Sequence, residues 1–197
     1  VSQNLKKPEL NHNKTPRFFE REKSSIKSGI TQTPVQQFYA FHNSVKHLTN
    51  LTDPENQLKI KESHTDKFGI THIKAQQYFK GIKVYGAESF IHMGSKKDVF
   101  NGYIYKIADT ISITPSISKT EALQFVNTDL ATKTVIKDLS EKQKDLLKYD
   151  EPLINLIIYE SKLVYEILIR PNFIQEWKYF IDAKSGAIIK EFNNTHS

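Results

Sequence analysis

The stretch ITHIKAQQYFKGIKVYGAESFIHM, residues 70–93, decides the fold. Apolar and polar side chains alternate along it on both sides of Gly81, and a period of two is typical of half-buried strands. Similar alternating stretches flank it, LKIKESHT at residues 58–65 and VFNGYIYKI at residues 99–107. Because short turns link all four stretches, we predict an antiparallel meander of four strands.

A helix is predicted just before this meander, in TPVQQFYAFHNSVKHL at residues 33–48. Thr33 is a good N-cap, Pro34 fits the first helical position and Gln36 completes a capping box. Apolar residues recur at spacings of three and four, which predicts one buried face. They are Val35, Phe38, Phe41, Val45 and Leu48.

The second half of the chain repeats this plan. Capping boxes at Ser118 with Glu121 and at Ser140 with Gln143 predict a helix and a shorter helical segment. The buried stripe of the first of these helices is expected to contain Ala122, Phe125, Val126 and Leu130. Four further candidate strands follow, LINLIIY, KLVYEILIR, EWKYFID and AIIKEF. We therefore predict an α+β fold of two tandem units, each a helix packed on a curved antiparallel sheet of about four strands.

The predicted domain boundaries follow the breaks between these patterns. Residues 1–32 are polar and irregular, and we expect a loose N-terminal arm with one possible anchor at Phe18 and Phe19. Residues 33–112 form the first unit and residues 113–192 the second. Residues 193–197, NNTHS, form a polar C-terminal tail.

Composition limits the function classes. The chain has 197 residues, a net charge of +6 and no cysteine, so disulfides and cysteine chemistry are excluded. No run of about 18 apolar residues is present, so no transmembrane helix is predicted. Nucleic-acid binding would rest on the charge and on strand aromatics, but the lysines alternate with acids along the chain, so we predict neither a nucleic-acid nor a membrane partner.

No catalytic motif is found in the sequence. His-Glu-x-x-His, Gly-x-Ser-x-Gly, a Walker loop and a dinucleotide fingerprint are all missing from it. Two weaker alternatives stay open, a metal site at His64 and His72 with Glu62 nearby, and a pair of catalytic carboxylates. The candidate carboxylates are Asp66, Glu88, Asp98 and Asp182. The residues alone favour a binding function.

Residues 66–93 resemble the FTP (fungalysin/thermolysin propeptide) module. The matching positions are Gly69, Thr71, His72, Gln76, Gly81, Val84, Gly86, Ala87 and Glu88. Phe79 and Lys74 depart from the Tyr and Arg that are usual in the family. The resemblance implies that His72, Gln76, Gly81, Gly86 and Glu88 serve the structure of the module or contact a protease.

The second unit resembles the PepSY module, which is cystatin-like and follows FTP in such chains. The matching positions are Ser118, Glu121, Ala122, Tyr165, Glu166, Trp177, Tyr179, Phe180, Asp182, Ala183 and Gly186. On this resemblance residues 33–112 are an FTP domain and residues 113–192 a PepSY domain. FTP followed by PepSY is typical of the propeptides of secreted thermolysin-like zinc metalloproteases.

The resemblance implies a non-catalytic proregion with a signal peptide before Val1 and a protease domain after Ser197. Its expected roles are intramolecular chaperone and inhibitor of that protease domain, its partner. Zinc, and calcium with it, would belong to the protease domain and not to this chain. The precursor would be secreted, through the periplasm in a Gram-negative cell.

The resemblance also implies a role for the tail, in which Thr195, His196 and Ser197 form the cleavage junction in the active-site cleft. The residue before the scissile bond is then His196 or Ser197, and a Ser197 carboxylate would approach the protease zinc. The alternative is a free-standing secreted PepSY-type protease inhibitor or a cell-surface binding module.

Overall fold

The computed structural model describes residues 7–11, 15–23 and 32–195. The chain divides into two compact units, residues 1–108 and residues 109–197. Both units combine helices with an antiparallel sheet, which confirms the predicted α+β class.

The first unit consists of two helices and one antiparallel sheet. Its elements are β1 (Glu9–Leu10), β2 (Pro16–Glu22), α1 (Pro34–Thr49), α2 (Pro54–Gln57), β3 (Leu58–Thr65), β4 (Thr71–Phe79), β5 (Ile82–Met93) and β6 (Lys97–Gly102). The strands lie in the order β1-β2-β6-β5-β4-β3. The predicted meander is therefore present, and two further strands extend it beyond β6.

The two additional strands come from the N-terminal arm, which the sequence predicts to be loose. Strand β2 pairs with β6, and Phe19 stacks between Phe41 and Phe100 at centroid distances of 5.8 and 4.8 Å. Phe19 is fully buried, so it anchors the arm in the core of the unit. The pattern of the arm is too short to predict a strand whose partner lies about eighty residues further along.

Helix α1 begins as its sequence predicts. The Thr33 side chain accepts from the Gln36 backbone, and the Gln36 side chain accepts from the Thr33 backbone. Phe38, Phe41 and Val45 are buried against the sheet. Val35 does not belong to this face, because 47% of it is exposed in the first turn of the helix.

The second unit has the simpler plan. Its elements are α3 (Lys119–Lys133), α4 (Glu141–Leu147), β7 (Leu153–Tyr159), β8 (Lys162–Ile169), β9 (Trp177–Asp182) and β10 (Ile188–Asn193). The strands pair in chain order, β7-β8-β9-β10, each antiparallel to the next.

Helices α3 and α4 begin at the predicted capping boxes at Ser118 and Ser140. Ala122, Val126 and Leu130 are buried, as the spacing predicts, whereas Phe125 is half exposed. The Phe125 ring lies over the turn before β10 instead, close to Gly186.

Candidate functional site

The C-terminal tail remains attached to the second unit as far as the structure describes it. Strand β10 extends to Asn193, which pairs with Trp177. Beyond it the Asn194 backbone N–H donates to the Glu176 carbonyl at 2.7 Å, and the Glu176 N–H donates to Thr195 Oγ1 at 2.9 Å. Of the predicted junction residues, Thr195 is thus held beside β9, and His196 and Ser197 lie outside the described residues.

Glu176 holds this segment with its side chain as well. Asn194 Nδ2 donates to Glu176 Oε1 at 2.6 Å, and Arg170 Nη2 lies 2.8 Å from Glu176 Oε2. The Arg170 backbone in turn donates to the Tyr149 hydroxyl at 3.2 Å. Burial is the main cause that raises the pKa of Tyr149, which keeps this hydroxyl protonated. No local sequence pattern indicates a role for Glu176, because its partners are scattered along the chain.

Four of the five FTP motif residues lie around the β4–β5 hairpin. Tyr78 pairs with Lys83 and Gln76 pairs with Glu88, so residues 84–87 bulge from the sheet opposite a single residue of β4. Gly86 has φ +69° inside this bulge, and Gly81 has φ +83° in the hairpin turn.

The Gln76 side-chain amide supplies hydrogen-bond donors to backbone carbonyls that the bulge removes from the sheet ladder. Its buried Nε2 lies 2.7 Å from the Val84 carbonyl and 3.0 Å from the carbonyls of Ala87 and Gln77. Glu88 lies at the end of the bulge, with Oε1 3.4 Å from Lys74 Nζ. These contacts give Gln76, Gly81 and Gly86 a structural part in the hairpin.

His72 lies away from these residues, near the other end of β4, in a row of histidines. Its Nε2 lies 3.0 Å from Asp66 Oδ2, its Nδ1 lies 2.7 Å from His92 Nδ1, and its ring stacks on His64. The hydrogen bond from His72 is the main cause that lowers the pKa of Asp66. Burial first, and the charge of His72 second, lower the pKa of His92.

The histidine row does not form the metal site that the sequence left open. Within residues 7–11, 15–23 and 32–195, no group of three or more His, Asp or Glu side chains could hold a metal ion. Glu62 pairs with Lys74 in the ladder, two residues away from the pair of His64 and His72. The contact between the two Nδ1 atoms is a hydrogen bond in which one nitrogen donates and the other accepts.

The PepSY motif residues hold the second unit together. Tyr165 donates to the carbonyl of Ile117, just before α3, at 2.9 Å. Tyr179 donates to Asp129 Oδ2, within α3, at 2.6 Å, so both tyrosines connect the sheet to this helical segment. Burial is the first cause that raises the pKa of Tyr179, followed by the bond to Asp129. Glu166 forms an ion pair with Lys178 at 3.2 Å.

The remaining PepSY motif residues lie at the two ends of β9. Trp177 Nε1 lies 3.4 Å from Gln175 Oε1 at its start. At its end, Asp182 accepts from the backbone N–H groups of Lys184 and Ser185, which closes the turn before Gly186, where φ is +76°. All of these contacts lie within the second unit.

Two buried polar residues of the first unit were not predicted. His42 is enclosed by Phe38, Phe41 and Phe100, and burial, with a smaller contribution from the charge of Arg21, lowers its pKa to about 3. Asp98 is almost fully buried, and its carboxylate lies 2.6 Å from Arg21 and 3.0 Å from Lys23. Asp98 is therefore an ion-pair partner that fastens the arm, and not half of the catalytic pair considered above.

The second unit also has an open groove of about 440 Å³. Val135, Leu139, Phe173 and Ile174 supply its apolar surface, and Lys137 and Asp138 supply charge of both signs. Ile174 is 75% exposed, which is unusual for an isoleucine. Gln175 of this groove precedes Glu176, so the groove lies beside the anchored tail.

None of the helices in the described residues has the length and apolar character needed to cross a bilayer.

Two protein families match the chain in succession. The fungalysin/thermolysin propeptide motif, FTP, matches residues 56–101, and the peptidase propeptide and YPEB domain, PepSY, matches residues 116–192. Together these matches cover most of both predicted modules and include His72, Gln76 and Glu88 of the first.

Similar curated proteins are bacterial proteases. Neutral protease B of Bacillus subtilis (strain 168) is 29% identical over 163 residues, covering 72% of this chain and 28% of that protein. Thermolysin of Alicyclobacillus acidocaldarius subsp. acidocaldarius is 25% identical over 192 residues, covering 91% of this chain and 33% of that protein. The chain thus spans about a third or less of the length of these relatives.

Among solved structures, the Bacillus megaterium YpeB C-terminal domain is similar, with a TM-score of 0.37 and 16% identity. The superposition covers 92% of this chain and 73% of that chain.

Proposed function

The chain belongs to the propeptides of thermolysin-like metalloproteases, with an FTP motif followed by a PepSY domain, and from this premise we propose that it assists the folding of a protease domain and then inhibits it. The observation that carries the proposal is the occurrence of both modules, in this order, in a chain similar to a part of several such proteases. The partner is the protease domain of the same precursor, which holds the zinc and the calcium. We place the precursor outside the cell.

The rigidity of the two units supports the chaperone role. A propeptide speeds folding when it binds the transition state of its protease more tightly than the unfolded protease chain. Sheets held by buried contacts such as Gln76 in its bulge and Tyr179 on Asp129 offer a preformed surface. Preformed surfaces lose little conformational entropy on binding, so more of the contact energy favours the complex.

The attachment of the tail supports the inhibitory role. Thr195 is held beside β9 by the Glu176 backbone N–H. We propose that His196 and Ser197 then enter the active-site cleft, with the scissile bond after one of them. The carboxylate left by cleavage can replace the water bound to the protease zinc, because carboxylate oxygen is a competent zinc ligand.

Refolding in trans tests the chaperone role. The denatured protease domain is diluted into buffer with the chain at equal molar concentration, or with serum albumin as control, and active enzyme is measured after the chain has been digested. We expect a higher yield with the chain. Equal yields with the chain and with albumin would contradict the proposal.

Inhibition in trans tests the second role. The inhibition constant of the chain on the mature protease domain is compared with that of a chain lacking residues 193–197. We expect the deletion to weaken inhibition. An unchanged constant would limit inhibition to the surfaces of the two units.

A further inference from the structure

One glutamate of the second unit makes most of the described contacts of the C-terminal segment. Glu176 precedes β9, and Asn193 is the last residue of β10 that pairs with that strand. Asn194 and Thr195 continue beyond the pair through four bonds to Glu176, of which three use its backbone and one its side chain. Without the bond from the Glu176 side chain, the segment would be held only by bonds to the Glu176 backbone at a sheet end, where strands fray.

The Glu176 side chain is itself held in place. Oε1 accepts from Asn194 Nδ2 at 2.6 Å, and Oε2 lies 2.8 Å from Arg170 Nη2. The Arg170 and Glu176 side chains are only 19% and 13% exposed, so solvent screens this pair less than a surface pair. Arg170 lies just after β8, so the glutamate connects the ends of β8, β9 and β10.

The chemistry of the contact requires a carboxylate with two different partners. One oxygen faces an amide N–H₂ and the other faces a guanidinium, and bonds to charged groups are stronger than neutral ones. A glutamine here would retain an oxygen for Asn194 but lose the ion pair. An alanine would lose both and would leave Arg170 without its carboxylate.

We propose that Glu176 is a positioning residue that fixes the point and the direction in which the chain leaves the second unit toward the protease cleft. This inference rests on the inhibitory role proposed above. Glu176 itself does not touch the protease; it lowers the conformational entropy that residues 194–197 lose on entering the cleft. Ordering one side chain or a short segment accounts for about a two- to tenfold change in affinity.

The experiment uses the full chain with three single substitutions and the cognate protease domain. Glu176→Ala removes the anchor, and Asn194→Ala removes the same contact from the side of the tail. Glu191→Ala is the matched control, because it removes one negative charge and one ion pair, with Lys133, from the neighbouring strand β10. The inhibition constant and the unfolding temperature of each variant are measured.

A second readout separates positioning from stability. In the precursor, the chain end made by autocleavage is determined by intact mass. We expect one end in the wild type and in Glu191→Ala, and several neighbouring ends in Glu176→Ala and Asn194→Ala. Inhibition by these two variants should be about two- to tenfold weaker than by the wild type. Should Glu176→Ala not fold, Asn194→Ala carries the same test.

The outcomes distinguish this inference from the function it rests on. If deletion of residues 193–197 weakens inhibition while Glu176→Ala and Asn194→Ala inhibit like the wild type and give one chain end, the positioning role is wrong and the inhibitory tail stands. If the deletion leaves inhibition unchanged, the proposal that the tail inhibits the protease is wrong, and the positioning role of Glu176 is then wrong as well. A loss of inhibition by Glu191→Ala equal to that of Glu176→Ala would also overturn the positioning role.

Discussion

His72 and His92 face each other across strands β4 and β5 with their Nδ1 atoms 2.7 Å apart. At this distance one nitrogen donates a proton and the other accepts it, so the pair holds at most one proton between the two atoms. The second nitrogen of His72, Nε2, donates to the Asp66 carboxylate. Burial first, and the charge of His72 second, lower the pKa of His92 from its usual 6.5, so His92 resists protonation.

We predict that the first unit loses stability as the pH falls below about 6.5 because of this pair. The pKa of His92 is lower in the folded state than in the unfolded state. Above the unfolded-state pKa the fold has its full stability, and stability is lost as the pH falls from that pKa toward the folded-state pKa. His92→Gln, which cannot take up a proton, should reduce the loss between pH 7.5 and pH 5. Hydrogen exchange of β4 and β5 measures the loss of stability between pH 7.5 and pH 5. If the loss is the same in the wild type and in His92→Gln, His92 is not its cause.

His42 should make a larger contribution of the same sign. Its pKa falls from 6.5 to about 3, and neither ring nitrogen has a hydrogen-bond partner among the described residues. From this difference we expect a loss of about 2 kcal/mol between pH 7.5 and pH 5. In His42→Leu, whose side chain is similar in volume and has no proton to gain, most of this loss should disappear.

The measurement must report on the first unit alone. The only tryptophan of the chain, Trp177, belongs to the second unit, so its fluorescence follows that unit. Hydrogen exchange of the α1 backbone reports on the first unit alone. A pH dependence that is the same in wild type and His42→Leu would contradict the burial argument.

What the sequence could predict was local. The capping boxes at Thr33, Ser118 and Ser140 were predicted because each lies within four residues and satisfies its own backbone. The strand pairs of the meander were predicted for the same reason, since short turns join them. The contacts that were missed join residues far apart, such as Arg21 with Asp98, which are separated by 77 positions. Local periodicity carries no information about such pairs.

The candidate site shows the same limit. Resemblance selected Gln76 and Gly86, and the structure shows why both are needed in one bulge. Resemblance also selected the tail, but not Glu176, which holds it. The polar pattern of residues 193–195 predicts an exposed end and does not reveal that four bonds attach Asn194 and Thr195 to Glu176, 18 and 19 positions earlier.

We predict that Gln76→Ala destabilises the first unit by about 1–3 kcal/mol. The Gln76 amide is the side-chain donor to the carbonyls of Val84 and Ala87, which the bulge has removed from the ladder, and alanine leaves them buried without it. Thermal unfolding followed by circular dichroism measures the loss. Lys59→Ala on β3 is the control, because Lys59 lies next to Gln76 in the ladder but is exposed. It should lose less stability than Gln76→Ala, since it removes only a cation–π contact with the Tyr78 ring.

Gly186 lies in the turn before β10, beneath the Phe125 ring. Gly186 has φ +76°, and a Cβ placed there would lie 2.4 Å from the Phe125 ring. Gly186→Ala combines left-handed strain of about 1–2 kcal/mol with this clash, so we expect a larger loss of stability than strain alone gives.

Gly69→Ala gives a reference for the strain term. Gly69 has the same φ of +76°, but nothing lies within 4 Å of its added Cβ. The loss in Gly186→Ala, measured by Trp177 fluorescence during denaturation, should exceed the loss in Gly69→Ala, measured by circular dichroism. Adding Phe125→Ala to Gly186→Ala should recover the difference, because it removes the ring that the new Cβ meets. If the double variant is less stable than the wild type by the sum of the losses measured for Gly186→Ala and Phe125→Ala alone, the ring and the glycine do not interact, and the close packing of α3 on this turn is wrong.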